Sequence, residues 1–243
     1  MNMLKLPHVA LLGLTIAGLS WAGFATQVGA AQGSGGEAFG TAAGGQATTP
    51  DDKTVIFDQL PLYSLKECPV SGEPLGSMGD PVDMVVDGRL VRLCCGPCKK
   101  GVTAKKDAII AKLDAAAIKS QKKSWPLKSC PISGEALGGD AGPPVEAVWG
   151  GRYVEVCCKT CKALYGKKPE KARAKVEAAL RAELRKSYPG TTCPVSGETL
   201  GSMGEPVEVL YGTQLIRLCC KGCLKSFTKN PRKLVAKVYG VSK

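Results

Sequence analysis

The chain has 243 residues, a formal charge of +12 from 33 Lys and Arg against 21 Asp and Glu, and only 5% aromatic residues. Its single histidine, His8, lies near the start, so the rest of the chain can assemble neither a Ser-His-Asp set nor a histidine-held metal–water site, and it carries no phosphate-binding loop. Low aromatic content and twelve cysteines exclude one large apolar core and favour small units secured by sulfur.

In chain order, Lys5 precedes an uncharged, mostly apolar run from Val9 to Ala25. Val28-Gly29-Ala30 before Ala31 suits cleavage, so residues 1–30 are expected to be a signal peptide. An uncleaved anchor is the alternative, although 17 residues with several Gly, Ser and Thr stand at the lower edge of a spanning helix. No cysteine for lipid attachment and no twin arginine accompany the run. The expected location is exported, periplasmic or extracellular, with no membrane span after signal removal. Residues 31–60 are expected to form a flexible leader, on the Gly-, Ala-, Thr- and Gln-rich composition of Ala31 to Pro50.

The remainder repeats three times. Cys68 is followed by Cys94, Cys95 and Cys98; Cys130 by Cys157, Cys158 and Cys161; Cys193 by Cys219, Cys220 and Cys223. These sets account for all 12 cysteines and define three expected modules, 61–123, 124–186 and 187–243. Each opens with Cys-Pro-Val/Ile-Ser-Gly-Glu. In the first, β-rich runs Val82 to Val86 and Arg89 to Leu93 flank Asp87-Gly88, a strong hairpin signal. Trp149-Gly150-Gly151 and Tyr211-Gly212-Thr213 take that place in the others. Alternation puts Val91 and Leu93 on one face and Arg92 on the other. The second strand runs into Cys-Cys-x-x-Cys and a helix. Val102, Tyr165 and Phe227, four positions past the last cysteine, are expected to cover the thiols. A further helix is expected near Asp107, Glu170 and Arg232, running to Lys186 in the second module, with Pro169 and Pro231 in its first turn. The fold class is α+β: three tandem modules, each a turn, a β-hairpin and a helix around a cysteine cluster.

Four thiols on a knuckle and a strand-to-helix turn suit a tetrahedral thiolate site, and all-sulfur donors select Zn²⁺, Cu⁺ or another soft ion. Twelve thiolates and three divalent ions would take the full-chain charge from +12 to +6. Disulfides are the rival, because exported chains meet an oxidising space. Neighbouring Cys94 and Cys95 are poor partners for each other, since adjacent Cα atoms lie about 3.8 Å apart and a disulfide spans about 4.4–6.8 Å.

The pattern Cys-Pro-Val-Ser-Gly, hairpin, Cys-x-x-x-Cys-x-x-x-Phe-x-x-x-Pro resembles the TRASH/YHS heavy-metal-binding domains. It is also similar to a small zinc-binding ribosomal large-subunit family, whose ending Asn230-Pro231-Arg232-Lys233 matches. The resemblance covers most of Cys68 to Val241. It implies a treble-clef-like unit and a role in metal sensing, trafficking or resistance. It also implies ligands at Cys68, Cys94 and Cys98, at Cys130, Cys157 and Cys161, and at Cys193, Cys219 and Cys223. Ser71, Ser133 and Ser196 stand where many members have a second early cysteine. Cys95, Cys158 and Cys220 stand where many have serine.

The expected function is therefore a non-enzymatic, exported protein that binds zinc or another soft metal through all twelve cysteines. A structural or protein-interaction role for modules held by zinc or disulfides is the alternative. Thiol–disulfide exchange at Cys95-Gly96-Pro97-Cys98 is a weaker one, because the other modules have Lys-Thr and Lys-Gly between the same cysteines and no βαβ frame surrounds them. Met78 and Met203, in matching Gly-Ser-Met-Gly loops, could add soft ligands but are read as turn packing. Lysines such as Lys99, Lys100, Lys105, Lys106, Lys122 and Lys123 read first as a solvated helix face. Beyond metal ions, a protein or an anionic cell-surface component is the expected partner, and export argues against nucleic acid.

Overall fold

A computed structural model describes residues 51–140 and 142–240. The expected signal peptide and residues 31–50 of the expected leader lie outside the described residues. Three units follow one another, each an antiparallel hairpin with helices: β1 (Val82–Val86) and β2 (Arg89–Leu93), β3 (Val145–Trp149) and β4 (Arg152–Val156), β5 (Val207–Tyr211) and β6 (Gln214–Leu218). The register is the same in all, with Val82 opposite Leu93, Val145 opposite Val156 and Val207 opposite Leu218. Each turn needs left-handed backbone. Asp87 (φ 48°) and Gly88 (φ 71°) supply it in the first unit, Gly150 (φ 54°) and Gly151 (φ 77°) in the second. Positive φ at both central residues matches the twist of the flanking strands.

A short helix carries the last cysteine of each unit: α2 (Cys98–Ala104), α4 (Lys159–Lys167) and α6 (Lys221–Lys229). A second follows: α3 (Lys106–Gln121), α5 (Pro169–Lys186) and α7 (Pro231–Tyr239). One more helix, α1 (Asp52–Gln59), precedes the first unit and continues into a 3-10 turn at Leu60–Leu62. Residues 51–60 of the expected leader are thus ordered structure. Asp51 caps the helix by accepting from the Thr54 backbone N–H at 2.7 Å, and Val55 and Gln59, one turn apart, are buried.

The strands are covered on both faces. Val91 and Leu93 turn into a core with Cys68, Cys94, Val102, Ile109 and Leu113, and the other units build the same core. The opposite face also carries a buried residue, Leu90 (2% exposed), Tyr153 (1%) or Leu215 (0%), where alternation alone expects solvent. The cover is the helix preceding each unit. Helix α3 therefore serves two units: Ile109 and Leu113 close the first core, and its C-terminal end packs on the second hairpin.

Gln59 and Gln121 hold these junctions. The Gln59 side chain donates to the Gly88 carbonyl at 2.6 Å and accepts from the Leu90 N–H at 3.0 Å. Gln121 donates to the carbonyls of Gly151 (2.9 Å) and Leu62 (3.2 Å) and accepts from the Tyr153 N–H at 2.9 Å. The repeat places Leu184 at the third position, and no amide bridge forms there.

The third unit closes back on the first helix. Phe57 packs against the third core, its ring 5.9 Å from Tyr211. A Cβ on Gly212 would lie 3.3 Å from Pro61, and Arg152 donates to the Gly212 carbonyl at 2.9 Å. Arg173 of α5 pairs with Asp58 of α1. A Cβ on Gly151 would lie 3.2 Å from the Gln59 side chain, so all three turns meet residues 59–61. Five-residue strands rising about 3.4 Å per residue carry the chain roughly 17 Å away from the turns to the cysteines. The three thiol groups therefore lie at the outer ends of the hairpins, each in its own core.

Replacing Gln121 with Met should leave buried Gly151 and Tyr153 backbone groups unpaired and lower stability by about 2–4 kcal/mol. Denaturant titration measures this, and a loss below about 0.5 kcal/mol would show the bridge to be dispensable.

Candidate metal centre

The inner wall of each site is a tight turn at the start of the unit. Cys68 donates its N–H to the Glu73 carbonyl at 2.7 Å and accepts at its own carbonyl from Gly72 at 2.9 Å, and Gly72 supplies the positive φ of 80° that this requires. Cys130 with Gly134, and Cys193 with Gly197, repeat it. The outer wall is the end of the second strand and the helix that follows. Together they bring Cys68, Cys94 and Cys98 within 4.8 Å of one another, sulfur to sulfur. The same holds for Cys130, Cys157 and Cys161 and for Cys193, Cys219 and Cys223.

The spacing suits a shared ion. Sulfurs bound at about 2.3 Å to a tetrahedral ion stand about 3.8 Å apart. Cys94 and Cys98 are 3.8 Å apart, Cys157 and Cys161 3.7 Å, and Cys219 and Cys223 3.6 Å. No imidazole is available in the described residues, so the donors are sulfur. The chemistry is that of a soft cation, and the three clusters could each hold one.

Cys95, Cys158 and Cys220 are not in the mutual triads. Cys95 lies 3.7 Å from Cys94 and 3.4 Å from Cys98, and Cys220 lies 3.9 Å from Cys219 and 4.0 Å from Cys223. The serines of the opening turn reach inward instead. Ser71, Ser133 and Ser196 each place Oγ 3.3 Å from the sulfur of Cys94, Cys157 or Cys219 and accept the N–H of Glu73, Glu135 or Glu198.

These contacts divide the thiols electrostatically. Burial pushes the Cys68 thiol up, but hydrogen bonds from the Ser71 side chain and from the Ser71, Cys94 and Val70 backbone outweigh it and bring it down to about 6. The same balance of burial against donors from the turn brings Cys130 to about 7 and Cys193 to about 6. Cys98 is pushed up to about 12, first by its hydrogen bond with Cys95 and then by burial. Burial, followed by neighbouring thiols, raises Cys161 and Cys223 to about 12. Hydrogen bonds with the last cysteine of the unit also lower Cys95, Cys158 and Cys220, so without an ion the opening cysteine, held by the turn, is the first to ionise.

The expected apolar cover is present. Val102 and Phe227 are buried in the cores with the cysteines, and Tyr165 stacks on Trp149 at 5.1 Å. Among the described residues, Met78 and Met203 are instead exposed large apolar residues, at 67% and 63%. Two lysines escape a sequence-only reading. Lys175 Nζ donates to the Ile132 carbonyl at 2.8 Å and Lys237 Nζ to the Pro194 carbonyl at 2.9 Å, so each sets a positive charge on the opening turn. Their equivalent places in the repeat were the available signal. No protein-family model, curated protein or solved structure matches the chain.

In the reduced, metal-free chain, thiolate absorbance should show a first step between pH 6 and 7 that a Cys68→Ser, Cys130→Ser, Cys193→Ser triple variant loses. Because these folded values lie below the ordinary 9.0, ionisation stabilises the fold at alkaline pH, and that contribution disappears as pH falls through 7 to 6. A metal-free fold that gains stability over that fall would contradict the assignment.

Proposed function

We propose that this chain is an exported metal-binding protein that carries soft cations in three separate all-sulfur sites, in trafficking, storage or resistance. The observation that carries the reading is the threefold recurrence of a mutual sulfur triad with spacing suited to one ion. Three sulfurs mutually within 4.8 Å suit a single shared ion. The resemblance to TRASH/YHS heavy-metal-binding domains supports the same class, and zinc or Cu⁺ is the cargo the donors suit. Binding rather than catalysis is the better reading, because each cluster is built into a core instead of lining a substrate cleft. The amino-terminal signal pattern supports export, and among the described residues no helix is long and apolar enough to cross a membrane.

The surroundings favour an anionic partner. Residues 96–106, 159–169 and 221–233 contain four, four and five Lys or Arg and no Asp or Glu, and they form the exposed flank of each thiol group. A basic rim of this kind draws in an acidic protein or an anionic cell-surface component. Burial of Cys68, Cys130 and Cys193 favours a second reading, in which the ions brace turn, hairpin and helix so that other surfaces can bind.

Elemental analysis of the anaerobically purified chain, with thiols counted before and after chelation, tests the reading. About three soft ions per chain are expected, with thiols released on chelation, and Cys68→Ser should remove about one ion. Ions that resist strong chelators would favour bracing. An absence of both metal and free thiols would mean a disulfide framework.

A further inference from the structure

In every unit one thiol, that of Cys95, Cys158 or Cys220, lies outside the three sulfurs that are mutually within 4.8 Å. All three are half-buried, whereas the first two triad cysteines of each unit are buried. The inner position beside Cys94 that a fourth ligand from the opening turn would occupy is held by the Ser71 hydroxyl, and likewise in the other units. The outer thiol is nevertheless close to the triad member nearest the surface, with Cys95 3.4 Å from Cys98 and Cys220 4.0 Å from Cys223.

We propose that the triads hold the ion and that Cys95, Cys158 and Cys220 are exchange ligands, through which a thiophilic ion content with three thiolates, such as Cu⁺, is taken up and handed on. This rests on the metal-binding reading above. In the handover, a bond forms from Cys95 Sγ to the ion while the bond from Cys98 Sγ breaks. The proton leaving Cys95 passes to Cys98, so charge is conserved and no electrons are transferred. In the first two units both sulfurs of this exchange are half-buried at the edge of the site, and in the third the ion moves from buried Cys223 to half-buried Cys220; in each case an incoming soft ligand can take it there. Repetition of the outer thiol in three units gives each site its own route.

The test loads the purified, reduced chain with Cu⁺ and follows transfer to the chelator bathocuproine disulfonate by stopped-flow absorbance. Wild type is compared with Cys95→Ser, Cys158→Ser, Cys220→Ser and with the corresponding triple alanine variant, which removes any hydroxyl ligand. Both variants should still bind about three Cu⁺ per chain and release them at least about tenfold more slowly. Loss of bound copper from a variant that remains folded by circular dichroism would make the outer thiol a permanent fourth ligand and overturn the proposal. Unchanged release rates would make it a bystander and overturn the proposal equally. A wild-type chain that binds no copper or other soft ion would overturn the metal reading itself, a result distinct from the other two.

Discussion

The second face of each hairpin sets the terms for the whole structure. One face packs around the sulfurs. The other carries Leu90, Tyr153 or Leu215, together with backbone groups that need partners once covered. A unit of this size cannot cover both faces with its own residues, because small chains bury too little of their surface. The preceding helix does so, and Gln59 and Gln121 satisfy the buried amides and carbonyls at the junction. A polar side chain that both donates and accepts in a buried place fixes alignment as well as contributing stability, since any shift along the strand leaves donors unpaired. Each hairpin is therefore completed by the helix that precedes it, and for the second and third that helix belongs to the neighbouring unit.

That arrangement determines what the sulfur clusters can do. With the turns gathered at residues 59–61, the cysteines are carried to the far ends of the hairpins. Each cluster has its own core, its own serine and its own basic flank. A shared multinuclear cluster is incompatible with that separation. Packing at the middle holds the body together, and the sulfur clusters stand at the far ends of the hairpins.

Much of this was legible in the sequence. The Asp87-Gly88 turn and its flanking β-rich runs place β1 and β2 at the residues observed, and the prolines before α5 and α7 mark their first turns. The cysteine spacing identifies the clusters because a knuckle, a strand end and a helix start are local structures with local signals. What local signals do not carry is the sharing of helices. Helix α1 falls in a stretch that composition joins to the leader, and its eight residues are held by packing of Val55 and Gln59 rather than by strong periodicity. The recurrence of glutamine 62 positions apart, at Gln59 and Gln121, is visible only once both are known to meet a hairpin. Likewise, the sequence presents four cysteines per unit as alike, and only the folded spacing shows that three of them are mutually within 4.8 Å.

The repeat also aligns the two ends of the body. Shifted by the 125 positions that separate Cys193 from Cys68, Tyr239 corresponds to Asp114 in the middle of α3; shifted by the 62 positions between Cys68 and Cys130, Asp52 corresponds to the same residue. Helices α7 and α1 are thus the two halves of what α3 is in one piece, with the chain cut at that point. A linear solenoid can grow by adding repeats because its last unit always offers a free face. Here α1 packs against the third core through Phe57, so the array of three units turns back on its own first helix instead of running on as a line.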